Sequence, residues 1–160
     1  MADLAVVDAS PLIVLARAGR LDLLHLAATH IVVPEAVQAE VLAHAEDAAA
    51  RALTAAGWLG VVHVPFIPDA LRRWDLGAGE TAVLAYALGR PGAEAILDDL
   101  AGRRCAGTLG VPVRGTLGLA LVAKTRGLVP AAGPLVAELQ AAGMYLSPPV
   151  VRRALALVGE

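Results

Sequence analysis

Cysteine and aromatic residues are scarce in this chain. Its 160 residues include one cysteine, Cys105, and aromatic side chains make up 3% of the total, whereas hydrophobic residues make up 58%. A single cysteine excludes an internal disulfide and a zinc site built from several cysteines. A reducing compartment fits this composition, and we predict a cytoplasmic protein.

An excess of one charge and long apolar runs are also missing. The 13 Lys and Arg residues nearly balance the 15 Asp and Glu residues, which gives a formal net charge of −2. This balance excludes a protein whose whole surface attracts nucleic acid. No apolar run approaches the roughly 20 residues that span a bilayer, and the first residues carry Asp3 rather than basic side chains. We therefore expect no signal peptide, no membrane anchor and no membrane partner.

The length predicts a single domain over residues 1–160, with a C-terminal helix at about 147–160. Short β-like runs alternate with longer helical patterns, which is typical of an α/β fold: three α/β/α layers around a central, mainly parallel sheet. The predicted strands are Leu4–Asp8, Ile31–Val33, Val61–Val64, Ala95–Asp98 and Val111–Arg114. The predicted helices are Pro11–Ala18, Leu21–Ala28, Pro34–Ala43, Glu46–Ala56, Gly77–Leu88, Leu100–Leu109, Thr116–Thr125, Ala131–Ala142 and Pro149–Val158.

Four acidic residues are placed where such a fold puts its chemistry. Asp8 and Asp98 each end a predicted strand, and the ends of parallel strands meet at one edge of the sheet. Glu40 lies in an otherwise apolar helix, and Glu80 opens a helix, where the helix dipole favours a carboxylate. Such a cluster repels itself unless cations neutralise it. Oxygen ligands favour Mg²⁺ or Mn²⁺ over zinc.

Each acid also has a simpler interpretation. Asp8 can be a helix cap, Glu80 an ordinary first-turn acid, Glu40 a solvent-exposed side chain, and Asp98 with Asp99 a pair of N-cap residues. The joint arrangement favours a metal site, because independent capping gives no reason for acids to recur at one sheet edge. The four histidines show no ligand spacing.

Five motifs follow one another along the chain. They are Val6-Val7-Asp8-Ala9-Ser10-Pro11-Leu12, Val33-Pro34-Glu35-Ala36-Val37 with Glu40, Gly77-Ala78-Gly79-Glu80, Ile96-Leu97-Asp98-Asp99 with Arg103 and Ala106, and Val113-Arg114-Gly115-Thr116-Leu117-Gly118. In this order they resemble the PIN-domain superfamily and, more narrowly, the PIN-like group DUF3368. The resemblance extends over essentially the whole chain.

The resemblance implies a metal-dependent ribonuclease of the kind found as the toxin of toxin–antitoxin pairs. The positions that match the metal-binding acids are Asp8, Glu40, Glu80 and Asp98, with Asp99 as the alternative to Asp98. Ser10 would support the first acid by a hydrogen bond. The superfamily more often has Asp at the third position, so Glu80 keeps the charge on a longer side chain. Mg²⁺ or Mn²⁺ would be the cofactor.

The RNA phosphates would be bound by arginines, which offer paired N–H donors. The candidates are Arg103, Arg104 and Arg114, and the alternative for each is an ordinary charged surface or, for Arg103, an ion pair with the acidic cluster. A small antitoxin protein is the implied partner. We also predict a homodimer, because three aliphatic helices carry more apolar surface than one small domain covers easily. These are Leu12–Ala18, Leu21–Ala28 and Val37–Ala43.

Two other functions remain open from the sequence. One is a PIN-like module that keeps the acids but only binds a partner. The other is a phosphatase of the haloacid-dehalogenase type, which needs a second aspartate where this chain has Ser10.

Overall fold

A five-stranded, fully parallel sheet forms the centre of the computed structural model, which describes residues 1–44 and 46–160. The strand order is β3-β2-β1-β4-β5. The strands are β1 (Ala2–Val7), β2 (Ala28–Pro34), β3 (Leu59–Val62), β4 (Glu94–Ile96) and β5 (Val113–Arg114). β1 and β4 therefore lie side by side, with Val7 opposite Ile96.

Helices connect the strands, as parallel pairing requires. They are α1 (Ala9–Arg17), a 3₁₀ helix (Leu21–Leu26), α2 (Glu35–Leu42), α3 (Ala48–Ala55), α4 (Asp69–Arg72), α5 (Ala78–Leu88), α6 (Leu100–Leu109), α7 (Thr116–Thr125), α8 (Ala132–Ala141) and α9 (Pro148–Ala156). The three-layer α/β/α fold predicted from the sequence is confirmed. In the described part of the chain, no helix has the length and apolarity to cross a membrane.

The core explains how the site is positioned. The last three residues of the inner strand β1, Ala5–Val7, are apolar and fully buried because helices cover both sides of the sheet. α5 packs against β1, β2 and β4, and most of its small side chains are buried. This packing holds the first turn of α5 at the carboxyl edge of the sheet.

The segment Leu21–Ala28 differs from its predicted α-helix. Residues Leu21–Leu26 form a 3₁₀ helix, and Ala28 is the first residue of β2, paired with Ala2. Ala28 belongs to the sheet because its backbone pairs with Ala2 of the inner strand. The apolar periodicity of a short segment does not distinguish these conformations.

Smaller differences concern element ends and one additional helix. Pro34 has an extended backbone and ends β2 instead of starting the next helix. β3 comprises Leu59–Val62 rather than Val61–Val64, and the short α4 was not predicted. Of the predicted helix Glu46–Ala56, residues 48–55 are helical, and Asp47 caps the helix by accepting a hydrogen bond from the amide of Ala49.

Candidate metal centre and substrate cleft

Asp8 and Asp98 lie at the same edge of the sheet, at the ends of two neighbouring strands. Asp8 follows β1, and its amide donates to the carbonyl of Ile96 in β4 at 3.1 Å. Asp98 follows β4 after the buried Leu97. The parallel pairing of β1 with β4 therefore brings together two carboxylates that are 90 residues apart in the sequence.

Asp8 is a buried carboxylate, with 5% of its surface exposed. It occupies the N-cap position of α1, yet its side chain makes no capping hydrogen bond. Among the described residues, no Lys, Arg or His side chain forms an ion pair with it. Burial, together with the charges of neighbouring carboxylates, raises the pKa of Asp8 from 3.8 to about 7. Capping alone therefore does not account for Asp8.

Glu40 and Glu80 approach Asp8 from two helices. Glu40, on α2, and Asp8 both reach towards Gly79 of α5: a Cβ atom there would lie 3.1 Å from Oε2 of Glu40 and 3.2 Å from Oδ1 of Asp8. Glycine at this position makes room for both carboxylates. Glu80 is partly buried, and burial together with the charges of Asp99 and Glu40 raises its pKa.

Asp98 and Asp99 have different surroundings. Asp98 accepts two hydrogen bonds from Thr116 at the start of α7: the amide donates to Oδ1 at 2.7 Å, and the hydroxyl donates to Oδ2 at 2.6 Å. Asp99 accepts a hydrogen bond from the amide of Gly102 at 3.1 Å and caps α6. The capping interpretation therefore applies to Asp99, and Asp98 is the better candidate for the fourth acid.

The acids line two adjoining hollows. A cleft of about 920 Å³ is lined at one end by Asp8, Ser10, Glu80, Asp98 and Asp99. A second hollow of about 450 Å³ contains Glu40 and shares three of these residues with the cleft. Those three are Asp8, Ser10 and Glu80. Asp8 thus lies between the two hollows, and Glu40 lines the smaller one.

Ser10 and the arginines only partly match their predicted places. Ser10 is exposed and lines the cleft, but among the described residues it forms no hydrogen bond with Asp8, because its first-turn position directs the side chain towards solvent. Arg103 lines the cleft and donates to the carbonyl of Leu97 at 3.4 Å. Arg104 is exposed on the same helix and lies outside the cleft lining.

Arg114 also lines the cleft, and it forms an ion pair with the buried Glu94. Neither Glu94 nor the contact between Thr116 and Asp98 was predicted. A signal existed for Thr116, because a hydroxyl residue follows Gly115 at a helix start. Nothing in the sequence indicated that Glu94 pairs with Arg114, because this contact depends on the register of β4 with β5.

The opposite wall of the cleft is apolar. α7, α9 and the segment between α8 and α9 supply Leu121, Met144 and Val150. Tyr145 at its rim is 92% exposed, and Leu157 is 80% exposed.

The aliphatic helices on which the predicted dimer was based bury most of their apolar side chains. The buried ones include Leu12, Leu15, Leu23, Leu24, Val37 and Val41.

The donor set fits a hard divalent cation. Three carboxylates surround a buried fourth that has no cationic partner among the described residues, and oxygen-only donors suit Mg²⁺ or Mn²⁺. As the side chains stand, no three His, Cys, Asp or Glu residues within the described ranges are close enough to hold one ion. Ion binding therefore requires the longer acids, Glu40 and Glu80, to turn towards Asp8.

These features define an α/β protein with an acidic, oxygen-lined site at the carboxyl edge of a parallel sheet. The family model for DUF3368, described as a PIN domain, matches residues 4–160, and the chain belongs to this family. The resemblance inferred from the motifs is confirmed, and the fold is of the nuclease type. Among curated proteins, none matches this sequence.

Proposed function

We propose that this protein is a metal-dependent endoribonuclease that hydrolyses RNA phosphodiester bonds. The observation that carries the proposal is the burial of Asp8 among three other carboxylates without a basic partner in the described structure. An ionised carboxylate of this kind is costly to bury unless a proton or a cation neutralises it, and above about pH 7 a divalent cation fills that role. Membership of the PIN-domain family supports the choice of a nuclease over other metal enzymes.

Four acids would hold Mg²⁺ or Mn²⁺, each with a different support in the fold. Asp8 lies at the centre, and Asp98 is fixed by its two hydrogen bonds from Thr116. Glu40 and Glu80 reach the same edge from α2 and α5. When bound, a divalent ion activates water near neutral pH and neutralises charge on the phosphate. The protein holds the carboxylates and binds the RNA backbone through arginines of the cleft.

The test is cleavage of a labelled single-stranded RNA by the purified protein with Mg²⁺ or Mn²⁺, and with EDTA. We expect cleavage that EDTA abolishes and that Asp8→Asn removes, because the amide keeps the shape but loses the charge. Asp22→Asn is the matched control, since Asp22 is exposed on the 3₁₀ helix away from the cleft. Glu80→Asp should retain part of the activity. A wild type inactive on varied RNAs, or an Asp8→Asn variant as active as the wild type, would leave a binding module as the better account.

We also propose that the enzyme acts as the toxin of a toxin–antitoxin pair and that a small antitoxin protein is its partner. Tyr145 and Leu157 are large apolar side chains that line the same cleft and are mostly exposed, and this supports a protein partner at that rim. Induced expression should arrest bacterial growth, and Asp8→Asn should relieve the arrest. Normal growth of cells that contain active wild-type protein would contradict the toxin role.

We propose the homodimer separately, with an interface outside the rim that the antitoxin would cover. Trp58 and Phe66 are large apolar side chains that are exposed outside the cleft. Light scattering at micromolar concentration should show twice the mass of one chain. A monomer at that concentration would contradict the dimer without affecting the nuclease proposal.

A further inference from the structure

Arg114 is held in the cleft by a carboxylate that lies behind it. Its Nη2 atom is 3.0 Å from Oε1 of Glu94, the first residue of β4. The Arg114 side chain is 34% exposed, whereas that of Glu94 is 10% exposed. The acid is therefore the buried member of the pair, and Arg114 is the member that lines the cleft.

The Arg114 side chain is also confined from the side of α7. A Cβ atom at Gly118 would lie 3.0 Å from Cγ of Arg114, so the glycine leaves just enough space for the arginine stem. The Nε atom of Arg114 is buried and, within the described structure, has no hydrogen-bond partner. The side chain is thus fixed in position while part of its donor capacity is unused.

The placement of Glu94 needs an explanation beyond stability. A buried ion pair generally contributes little to folding, because the desolvation of both charges offsets their attraction. An arginine has five N–H donors in a planar fork, so one edge can bind a carboxylate while the other binds a second anion. A pair in which only the arginine reaches the cleft has the arrangement expected for presenting that second edge.

We propose that Glu94 is a positioning residue that orients Arg114 to bind a phosphate group of the RNA in the cleft. This inference depends on the proposed function, since it takes RNA as the ligand. It assigns a role to an acid that does not line the cleft and that no motif singled out. Arg114 is the group that touches the ligand, and Glu94 acts only through Arg114.

The direction in which RNA affinity changes when Glu94 is removed distinguishes a positioning role from a purely electrostatic one. Removal of Glu94 removes a negative charge, which by itself strengthens the attraction of the cleft for RNA. If Glu94 orients the guanidinium, its removal weakens RNA binding instead. In an Arg114→Ala background, removal of Glu94 should then cause no further loss, because there is no guanidinium left to orient.

The experiment is a double-mutant cycle of RNA affinity, measured by the fluorescence anisotropy of a labelled single-stranded oligonucleotide at low salt with EDTA. Arg114→Ala should weaken binding roughly tenfold, as expected for a lost charged hydrogen bond, and reduce the salt slope by about 1. Glu94→Ala should weaken binding by a similar factor, and the double variant no more than Arg114→Ala. Arg51→Ala, on α3 away from the cleft, is the charge control and should retain the wild-type affinity.

Several results would overturn the inference. One is a wild-type protein that does not bind the oligonucleotide. Another is RNA binding by Glu94→Ala that is as tight as that of the wild type, or tighter. The third is a loss of RNA affinity on Glu94→Ala that is the same in the wild-type and the Arg114→Ala backgrounds. If circular dichroism shows that Glu94→Ala is unfolded, Glu94→Gln takes its place in the cycle. The glutamine keeps the size of the side chain. We expect Glu94→Gln to lower RNA affinity by a smaller factor than Glu94→Ala, and we expect no loss in the Arg114→Ala background.

The cycle is independent of catalysis because EDTA prevents metal-dependent cleavage. Metal-dependent cleavage by the wild type combined with additive losses in the cycle would refute the role of Glu94 and leave the nuclease intact. Coupled losses in a protein that cleaves no RNA would refute the nuclease and leave the phosphate-binding pair.

Discussion

Replacement of Asp8 by asparagine should stabilise the metal-free protein at neutral and alkaline pH. The structure raises the pKa of Asp8 from 3.8 to about 7, chiefly by burial. The folded protein therefore holds this proton more tightly than the unfolded chain, and the free energy of unfolding falls as the pH rises from about 4 to about 7. Above that range the wild type carries the full cost of a buried, ionised carboxylate.

The size of this effect follows from the pKa difference. A difference of about 3 units corresponds to roughly 4 kcal/mol, since each unit is about 1.4 kcal/mol. We treat this figure as an upper bound for the gain of Asp8→Asn at pH 8, because a buried amide also loses hydrogen bonds with water. Near pH 4 the Asp8 carboxyl of the folded protein is protonated and uncharged, so its burial costs little and the gain from Asp8→Asn should vanish.

Urea unfolding followed by circular dichroism from pH 4 to pH 8 measures the difference between the two proteins. Groups outside the acidic cluster titrate equally in both, so the difference reports on Asp8 and the carboxylates that interact with it. Exposed Asp22→Asn should follow the wild type throughout. Addition of Mg²⁺ or Mn²⁺ at pH 8 should stabilise the wild type more than Asp8→Asn, because only the ionised acid binds the cation. A constant difference between wild type and Asp8→Asn across the pH range would refute the reasoning.

Three further changes test the geometry of the site. Thr116→Val removes the hydrogen bond from the Thr116 hydroxyl to Asp98 and should lower RNA cleavage roughly tenfold and the free energy of unfolding by about 1 kcal/mol. Thr116→Ser keeps the hydroxyl and should retain both. Gly79→Ala places a methyl group against two carboxylates and should destabilise the fold by about 1–3 kcal/mol in urea unfolding, whereas Gly77→Ala, with open space around it, should not. Arg103→Ala should weaken RNA binding in a filter assay, and Arg104→Ala should leave it unchanged; equal losses would contradict the placement of only Arg103 in the cleft.

The sequence predicted the parallel sheet and the ends at which the acids lie. Alternation of apolar strands with helices is a local pattern, so Asp8 and Asp98 could be predicted at the ends of two strands, although the strands themselves end slightly earlier, at Val7 and Ile96. That these two strands are neighbours follows from the strand order, which local patterns do not specify. Glu40 was predicted to join the cluster, but the room for it beside Asp8 depends on the missing side chain of Gly79, which no local pattern indicates.

The interactions that tune the site escaped prediction for a related reason. Thr116 binds Asp98, and Glu94 binds Arg114, across the junction of β4 and β5, and both contacts depend on strand register. The expected hydrogen bond from Ser10 to Asp8 is missing although the two residues are only two positions apart. Residue type and spacing indicate which side chains are available, whereas packing decides which of them meet.

The central claim is that the carboxylates at the end of β1 and β4 form a divalent metal site. A crystal of the protein soaked in Mn²⁺, with diffraction data collected for anomalous scattering, tests this claim most directly. We predict an anomalous peak within coordination distance of Asp8 in the wild type and no peak there in Asp8→Asn. A wild-type crystal without a peak at this cluster, at a Mn²⁺ concentration that supports RNA cleavage in solution, would contradict it.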